Sequence, residues 1–195
     1  MLHIFPAFGK GIAMKPTLLL LLFLALSGVL CAEPAEKNSV SVQAVEPQFE
    51  DYPVSIYKGK VIIPGKFKKD KEGIWRDEFG KGMGDPQINF AGKYFLSEHS
   101  CGFECRYYEL TDLTSGRSVP GLNMFASGDP PNMTREGYPY LTLLSYRADS
   151  AMIVALYLID KGVAGEYDCR ERVFLFDEAE QIRPITRTKY NRCSP

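Results

Sequence analysis

The residues around His99 are the first candidates for chemistry in this chain. The sequence reads Glu-His-Ser-Cys-Gly-Phe-Glu-Cys at residues 98–105, so a histidine comes shortly before two cysteines. Histidine and cysteine are the common side chains of thiol redox sites and metal sites. However, the Cys-x3-Cys spacing differs from the Cys-x2-Cys of thioredoxin-like enzymes, and no second ligand pair follows at zinc-site spacing. A structural disulfide is therefore favoured, and no metal or other cofactor is predicted.

A nucleophilic mechanism would also depend on His99. A Ser-His-Asp or Cys-His site needs a histidine, and the only other one, His3, lies in an N-terminal segment that we expect to be removed. The chain has no Gly-x-Ser-x-Gly motif. Carboxylate pairs for acid/base hydrolysis are available among the 24 acidic residues, but no spacing singles one out. The sequence therefore assigns no catalytic residue.

Residues 14–32 have the pattern of a secretory signal peptide. Lys15 gives a positive start, residues 18–26 are apolar, and small residues follow up to Ala32. The apolar run is shorter than the roughly 20 residues of a membrane-spanning helix. We expect cleavage after Cys31 or Ala32, and residues 1–13 are interpreted as an upstream extension before a true start at Met14. Lipidation of Cys31 is the less favoured alternative, because Leu30 stands where a small residue is required.

Export would place the remaining four cysteines in an oxidising compartment. These are Cys101, Cys105, Cys169 and Cys193. Four cysteines allow three pairings. Gly102 lets the chain fold back for a local Cys101–Cys105 bridge, which favours pairing Cys169 with Cys193. We therefore predict four structural cysteines in a periplasmic or secreted protein.

The charge balance excludes one class of partner. The chain has 23 basic and 24 acidic residues, a formal net charge of −1, and loss of the leader removes Lys10 and Lys15. A nucleic-acid-binding protein would show concentrated basic charge, so no nucleic acid partner is predicted. No other segment is long and apolar enough to span a membrane, so no membrane contact is predicted after cleavage.

The remaining pattern is dominated by strand signals. Residues 33–48 are interpreted as a flexible linker, and residues 49–195 as a single β-rich domain. Aromatic and apolar runs bounded by turn residues predict strands; these are residues 89–97, 106–111, 118–122, 140–146, 151–159, 172–177 and 182–186. Residues 75–84 allow a short helix, although three glycines weaken it. The predicted fold is mainly β, a single antiparallel β-meander domain (a sandwich or a propeller-like sheet) with at most one short helix.

Part of the chain resembles a group of uncharacterised exported bacterial proteins. The resemblance depends on residues 49–54, on Asn-Phe-Ala-Gly-Lys-Tyr at residues 89–94, on Cys-Gly-Phe-Glu-Cys at residues 101–105, and on the turn with Asp112, Thr114 and Gly116. It covers roughly residues 49–177. Members usually carry His at the place of Lys93 and Gly at the place of Ser100. The resemblance implies export and a β fold, and it implies no mechanism.

Three hypotheses follow for function. The favoured one is a non-catalytic exported protein that binds another envelope or secreted protein. The alternatives are a carboxylate-based hydrolase, and a thiol or metal protein centred on His99, Cys101 and Cys105. Possible ligand or partner contacts are Tyr94, His99, Arg147 and Asp149.

Overall fold

Three antiparallel sheets build most of the described chain, which comprises residues 46–102, 105–163 and 166–190 of a computed structural model. These residues belong to one compact unit. Within each sheet, strands that follow one another in the sequence are hydrogen-bonded neighbours, except that the last strand of the chain pairs with the strand two before it. The predicted mainly β antiparallel meander is therefore confirmed.

The sheets differ in size. The first contains β1 (Lys68–Lys69), β2 (Trp75–Arg76) and β3 (Gly82–Met83). The second contains β4 (Tyr94–Gly102), β5 (Cys105–Asp112) and β6 (Arg117–Val119). The third contains β7 (Asn132–Met133), β8 (Pro139–Tyr146), β9 (Met152–Asp160), β10 (Tyr167–Phe176), β11 (Ile182–Pro184) and β12 (Lys189–Tyr190). The helical elements of the described residues are two short 3₁₀ turns, Phe49–Asp51 and Leu122–Phe125.

The main core lies between the second and third sheets. Side chains alternate along a strand, so Tyr94 and Leu96 of β4 point to the same face and reach the third sheet. There they join buried residues of β9 and β10 in one cluster, including Ile153 and Phe176. The rings of Tyr94 and Phe176 meet edge to face at 5.0 Å. Burial of such side chains stabilises the fold by roughly 1.5–3 kcal/mol each, which holds the two sheets together.

The opposite face of the second sheet is covered by the small first sheet and its flanking loops. Phe95 and Leu113 are buried there against Phe67. The rings of Phe67 and Phe95 pack edge to face at 6.0 Å. Trp75, the only tryptophan, packs on this cluster and is partly buried. The first half of β4, residues 94–97, is therefore enclosed on both faces, whereas Glu98 and residues 100–102 are exposed.

The short helix considered for residues 75–84 is wrong. The segment forms β2, a turn and β3. The Asp77 carboxylate accepts the N–H groups of Phe79 at 2.9 Å and Lys81 at 2.8 Å. Gly80 has a φ of +76°, which an L side chain adopts only with strain. Local side-chain bonds to the backbone thus compete successfully with a helix.

The strand expected to start at residue 89 begins only at Tyr94. Residues 89–93 form a tight turn, in which Ala91 and Gly92 both have a positive φ. The Asn89 side chain accepts the N–H of Leu96 and donates to its carbonyl oxygen. This occupies the β4 edge where a longer strand would have continued.

The predicted Cys101–Cys105 disulfide is confirmed and closes the tip of the β4–β5 hairpin. In the chain-entropy model, a loop this short gains about 2 kcal/mol from the bridge. Cys169 is also disulfide-bonded, whereas Cys193 lies outside the described residues, so their pairing stays a prediction. The extension, the signal peptide and the linker up to residue 45 lie outside the described residues as well.

We predict that Gly92→Ala destabilises the protein by about 2 kcal/mol or more. Its φ is +78°, and an added Cβ would collide with the backbone oxygen of Ser55. Gly84→Ala is the matched control, because its Cβ meets nothing within 4 Å. Urea unfolding should show a lower midpoint for the Gly92 variant alone. Equal midpoints would contradict the proposed close approach.

Candidate functional site

The four predicted contact residues do not form one site. Tyr94 lines a groove at the start of β4. His99 lies in a polar cluster near the other end of the same strand, on its opposite face. Arg147 and Asp149 pair with each other at 2.8 Å beyond the end of β8, and Arg147 also binds Glu50. The predicted residues thus mark two separate candidate sites, the groove at Tyr94 and the polar cluster at His99.

The groove has a volume of about 740 Å³. Its apolar lining comes mainly from aromatic and aliphatic side chains; these include Tyr52, Pro53, Val54, Ala91, Tyr94, Ala151, Leu175 and Phe176. Its charged lining consists of Asp51, Lys93, Asp177, Glu178, Glu180 and Arg183. An apolar surface with a few polar groups at its border is typical of a binding site.

One wall of the groove is the segment that follows the first 3₁₀ turn. Val54 donates its N–H to Asp149 at 2.9 Å, and Tyr52 accepts the N–H of Ala151 at 2.9 Å. The hydroxyl of Ser150, a fully buried side chain, donates to the carbonyl oxygen of Phe49 at 2.8 Å. The turn between β8 and β9 thus holds this wall in place. Asp149 does not line the groove, but its carbonyl oxygen binds Val54, which does.

A polar network forms the opposite wall. The Tyr94 hydroxyl donates to Glu180 Oε1 at 3.0 Å. Arg117 donates to both oxygens of the same carboxylate, at 2.6 and 2.7 Å, and Lys93 donates to Asp112 at 2.8 Å. The bond from Arg117 lowers the pKa of Glu180, and burial raises the pKa of Tyr94. At neutral pH the groove therefore presents a carboxylate at Glu180 and a neutral phenol at Tyr94.

Two backbone outliers border this groove. Ala91 has a φ of 42° and Glu180 a φ of 58°, and both residues line it. No other non-glycine residue in the described ranges has a positive φ. This conformation costs roughly 1–3 kcal/mol for such a residue, and strained positions cluster at functional sites. The groove therefore contains both positive-φ non-glycine residues of the described ranges.

His99 is enclosed by polar side chains. Its Nδ1 lies 3.0 Å from Asp77 Oδ2, and its Nε2 lies 2.9 Å from Ser97 Oγ and 3.5 Å from Glu109 Oε2. The Tyr107 ring stacks on the imidazole at 4.7 Å. His99, Asp77 and Ser97 are all buried. The cluster joins β4 and β5 to the β2–β3 turn.

The neighbouring carboxylates favour the charged form of this histidine by raising its pKa. Burial alone would lower the pKa of His99, but hydrogen bonds to Glu109 and Asp77 outweigh it and raise the pKa. The bond from His99, together with one from Lys66 at 2.7 Å, lowers the pKa of Glu109 to about 2. When His99 is protonated, Lys66 and His99 balance the charges of Asp77 and Glu109, which reduces the free-energy cost of burying them.

Ser97, His99 and Asp77 follow one another in the order of a catalytic triad, but the surroundings do not favour catalysis. A catalytic serine and its general base must reach a substrate, whereas Ser97 and His99 are both buried. A cavity of about 540 Å³ lies nearby, and its lining includes Tyr107 and Glu109 but neither Ser97 nor His99. The cluster therefore serves to attach the first sheet.

Among the described residues, no group of three or more His, Cys, Asp or Glu side chains is arranged to hold a metal ion. None of the helical segments in that part of the chain has the length and apolarity needed to cross a membrane.

Comparison with known proteins gives no family for this chain. Neither the protein-family models, nor the curated proteins, nor the solved structures contain a match. The resemblance to exported bacterial proteins stays a prediction. Two of the four segments that carry it line the groove, through residues 51–54 and through Ala91, Lys93 and Tyr94. Asp112 of a third segment binds Lys93.

Sequence reasoning missed Glu180, Asp77 and Glu109. The available signal for Glu180 was its place at the end of the three-residue loop between β10 and β11, where a positive φ is usual, although this loop contains neither Gly nor Asn. Glu109 pairs with Ser97 in the hairpin that the disulfide closes. The strand register that the Cys101–Cys105 bridge implies would therefore have placed Glu109 beside Ser97. Asp77 carries no such signal, since it comes from another sheet.

We predict that His99 stabilises the fold less as the pH rises. Its pKa is higher in the folded than in the unfolded state, so its contribution is complete below the unfolded value of about 6.5 and is lost as pH rises through the folded value. Urea unfolding at pH 6 and pH 9 should show that the advantage of wild type over His99→Gln shrinks at pH 9. Ser97→Ala, which keeps the titrating ring, should retain the wild-type pH dependence. An advantage that is constant or grows with pH would rule out the charged cluster.

Proposed function

We propose that this chain is an exported binding protein without catalytic chemistry, and that the groove at Tyr94 takes a cationic segment of another envelope or secreted protein. The observation that carries the proposal is the coincidence of strain, apolar lining and excess carboxylate in one groove. Strained residues persist only where the surrounding structure over-determines them. Both positive-φ residues, Ala91 and Glu180, belong to the groove.

Charge complementarity defines the ligand. Four carboxylates and two cations line the groove. The cation Lys93 is already engaged by Asp112, whereas Asp51 and Glu178 are exposed side chains. The surplus of negative charge favours a lysine or arginine on the partner, and the apolar lining favours aliphatic neighbours to that residue.

The carboxylates themselves do not support the hydrolase alternative. A general acid among two carboxyl groups needs a raised pKa. Arg117 lowers the pKa of Glu180, which keeps this carboxyl ionised. Binding is therefore better supported than acid/base hydrolysis at this groove.

The thiol and metal alternative also has little support. Cys101 and Cys105 are joined in a disulfide, and His99 is engaged by Asp77 and Glu109. Both ring nitrogens of His99 are hydrogen-bonded to protein side chains, so neither is available to ligate a metal. The bridge agrees with an oxidising compartment, where structural disulfides persist.

The binding proposal predicts selective recognition of a cationic peptide. In ¹⁵N NMR titrations, acetyl-Leu-Arg-Leu-amide should shift the backbone amide signals of Ala91 and Glu180, because these residues line the groove. Acetyl-Leu-Glu-Leu-amide should leave these signals in place. The variant Glu178→Lys should weaken binding of the arginine peptide about fivefold or more.

The matched control is Glu72→Lys, which reverses an exposed charge in the turn between β1 and β2. It should bind the arginine peptide like wild type. The proposal fails if neither groove amide shifts at millimolar arginine peptide, or if both peptides shift them equally.

Export has its own test. Expressed from Met14 in a bacterial host, the protein should appear in the periplasmic fraction with a new N-terminus at Ala32 or Glu33. Lys15→Glu should reduce export, since signal peptides need a positive start. A full-length chain that stays in the cytoplasm would contradict the predicted signal peptide.

A further inference from the structure

A second, smaller cavity lies over the inner face of β10, away from the groove. Its volume is about 280 Å³, and its lining includes Arg170, Arg172, Tyr140, Tyr157, Met124 and Met133. The two arginines occupy alternate positions of β10 and therefore project to the same face. Two guanidinium groups beside one cavity concentrate positive charge in a chain that is slightly acidic overall.

Aromatic rings fix both guanidinium groups. The Arg172 guanidinium carbon lies 5.6 Å from the ring centre of Phe174, and that of Arg170 lies 5.0 Å from the ring centre of Tyr190. Arg172 Nε also donates to the carbonyl oxygen of Thr186 at 3.2 Å. Such stacking holds arginine in place without neutralising it, so the pair is positioned before any ligand arrives.

The pair is short of negative partners. In the described ranges, Arg172 has no carboxylate within 4.0 Å, while Arg170 makes two long ion pairs through Nη2, with Glu136 at 3.5 Å and Asp168 at 3.9 Å. The Nε of Arg170 is buried without any hydrogen-bond acceptor. A buried donor with no acceptor is unfavourable, and an anion beside the guanidinium would offset its charge.

The rest of the lining suits the organic part of a ligand. Tyr140 and Tyr157 pack edge to face at 5.7 Å, and no hydrogen bond of their hydroxyl groups is found among the described residues. Met124 and Met133 are 54% and 53% exposed. Methionine is a flexible apolar side chain that adapts to varied ligands. The cavity thus combines anion-binding groups with an apolar border.

We propose that this cavity is a binding site for a small organic anion. A carboxylate or phosphate group meets Arg170 and Arg172, and the apolar chain of the ligand lies against Met124 and Met133. The cavity is slightly smaller than typical sites for drug-sized ligands, which restricts the occupant to a small molecule. The inference rests on residues separate from the groove at Tyr94 and does not depend on the function proposed there.

Isothermal titration calorimetry of the chain without its leader tests the site with three probes that share one apolar tail. These are hexanoate, hexyl phosphate and hexylamine. One or both anions should bind and the amine should not, and the stronger anion distinguishes a carboxylate from a phosphate ligand. Arg172→Gln should weaken anion binding at least about tenfold, since charge-assisted bonds to the guanidinium are lost.

Two further variants keep the result interpretable. Arg187→Gln removes the same charge from an exposed residue outside the cavity lining and should change affinity less than about twofold. Met124→Glu adds a carboxylate at an exposed position and should also weaken anion binding, which covers the case that Arg172→Gln does not fold. The proposal is overturned if neither anion binds at 10 mM (roughly the weak limit of specific binding), if hexylamine binds equally well, or if Met124→Glu binds like wild type.

Discussion

The enclosure of the first half of β4 on both faces is the constraint on which the rest of the structure depends. A strand exposed on one face can place polar side chains in water, but residues 94–97 are all buried. The face of β4 toward the third sheet is aromatic and aliphatic and forms the main core. Its other face carries Ser97 and His99, which are buried. These polar groups must therefore find partners within the protein, and Asp77 and Glu109 supply them.

This requirement explains why a triad-like arrangement arises without a catalytic site. The arrangement satisfies a buried imidazole between two sheets, and removing one partner would leave an uncompensated charge. The groove at Tyr94 has the opposite character. There, Glu180 adopts a strained backbone although a glycine would avoid the strain. The positive φ of Glu180 follows from its place at the end of the three-residue loop between β10 and β11. The groove differs from the His99 cluster because its charged lining includes exposed side chains, Asp51 and Glu178.

The sequence predicted what local patterns determine. Alternation and turn residues identified the β8–β9 region and the β10–β11 hairpin, and the Cys-x3-Cys spacing predicted the bridge that the structure contains. Contacts between sheets could not be predicted from the sequence, because nothing near Asp77 indicates that its carboxylate reaches His99. Tyr94 was predicted as a contact and does line the groove, but its partner Glu180 lies 86 residues away in the sequence. Only the packing of the second sheet on the third brings them together.

Strand β10 connects the two candidate binding sites. Phe174 and Phe176 on its inner face belong to the main core, while Arg170 and Arg172 on the same face lie at a cavity beyond that core. At the other end, Leu175 and Phe176 line the groove. The strand therefore extends past the core only at its Arg170 end, whereas at its other end the core residue Phe176 itself borders the groove. Carboxylates predominate at the groove and guanidinium groups at the smaller cavity. The opposite charges at the two ends of one strand are the reason that the two proposed sites differ in the ligands they would take.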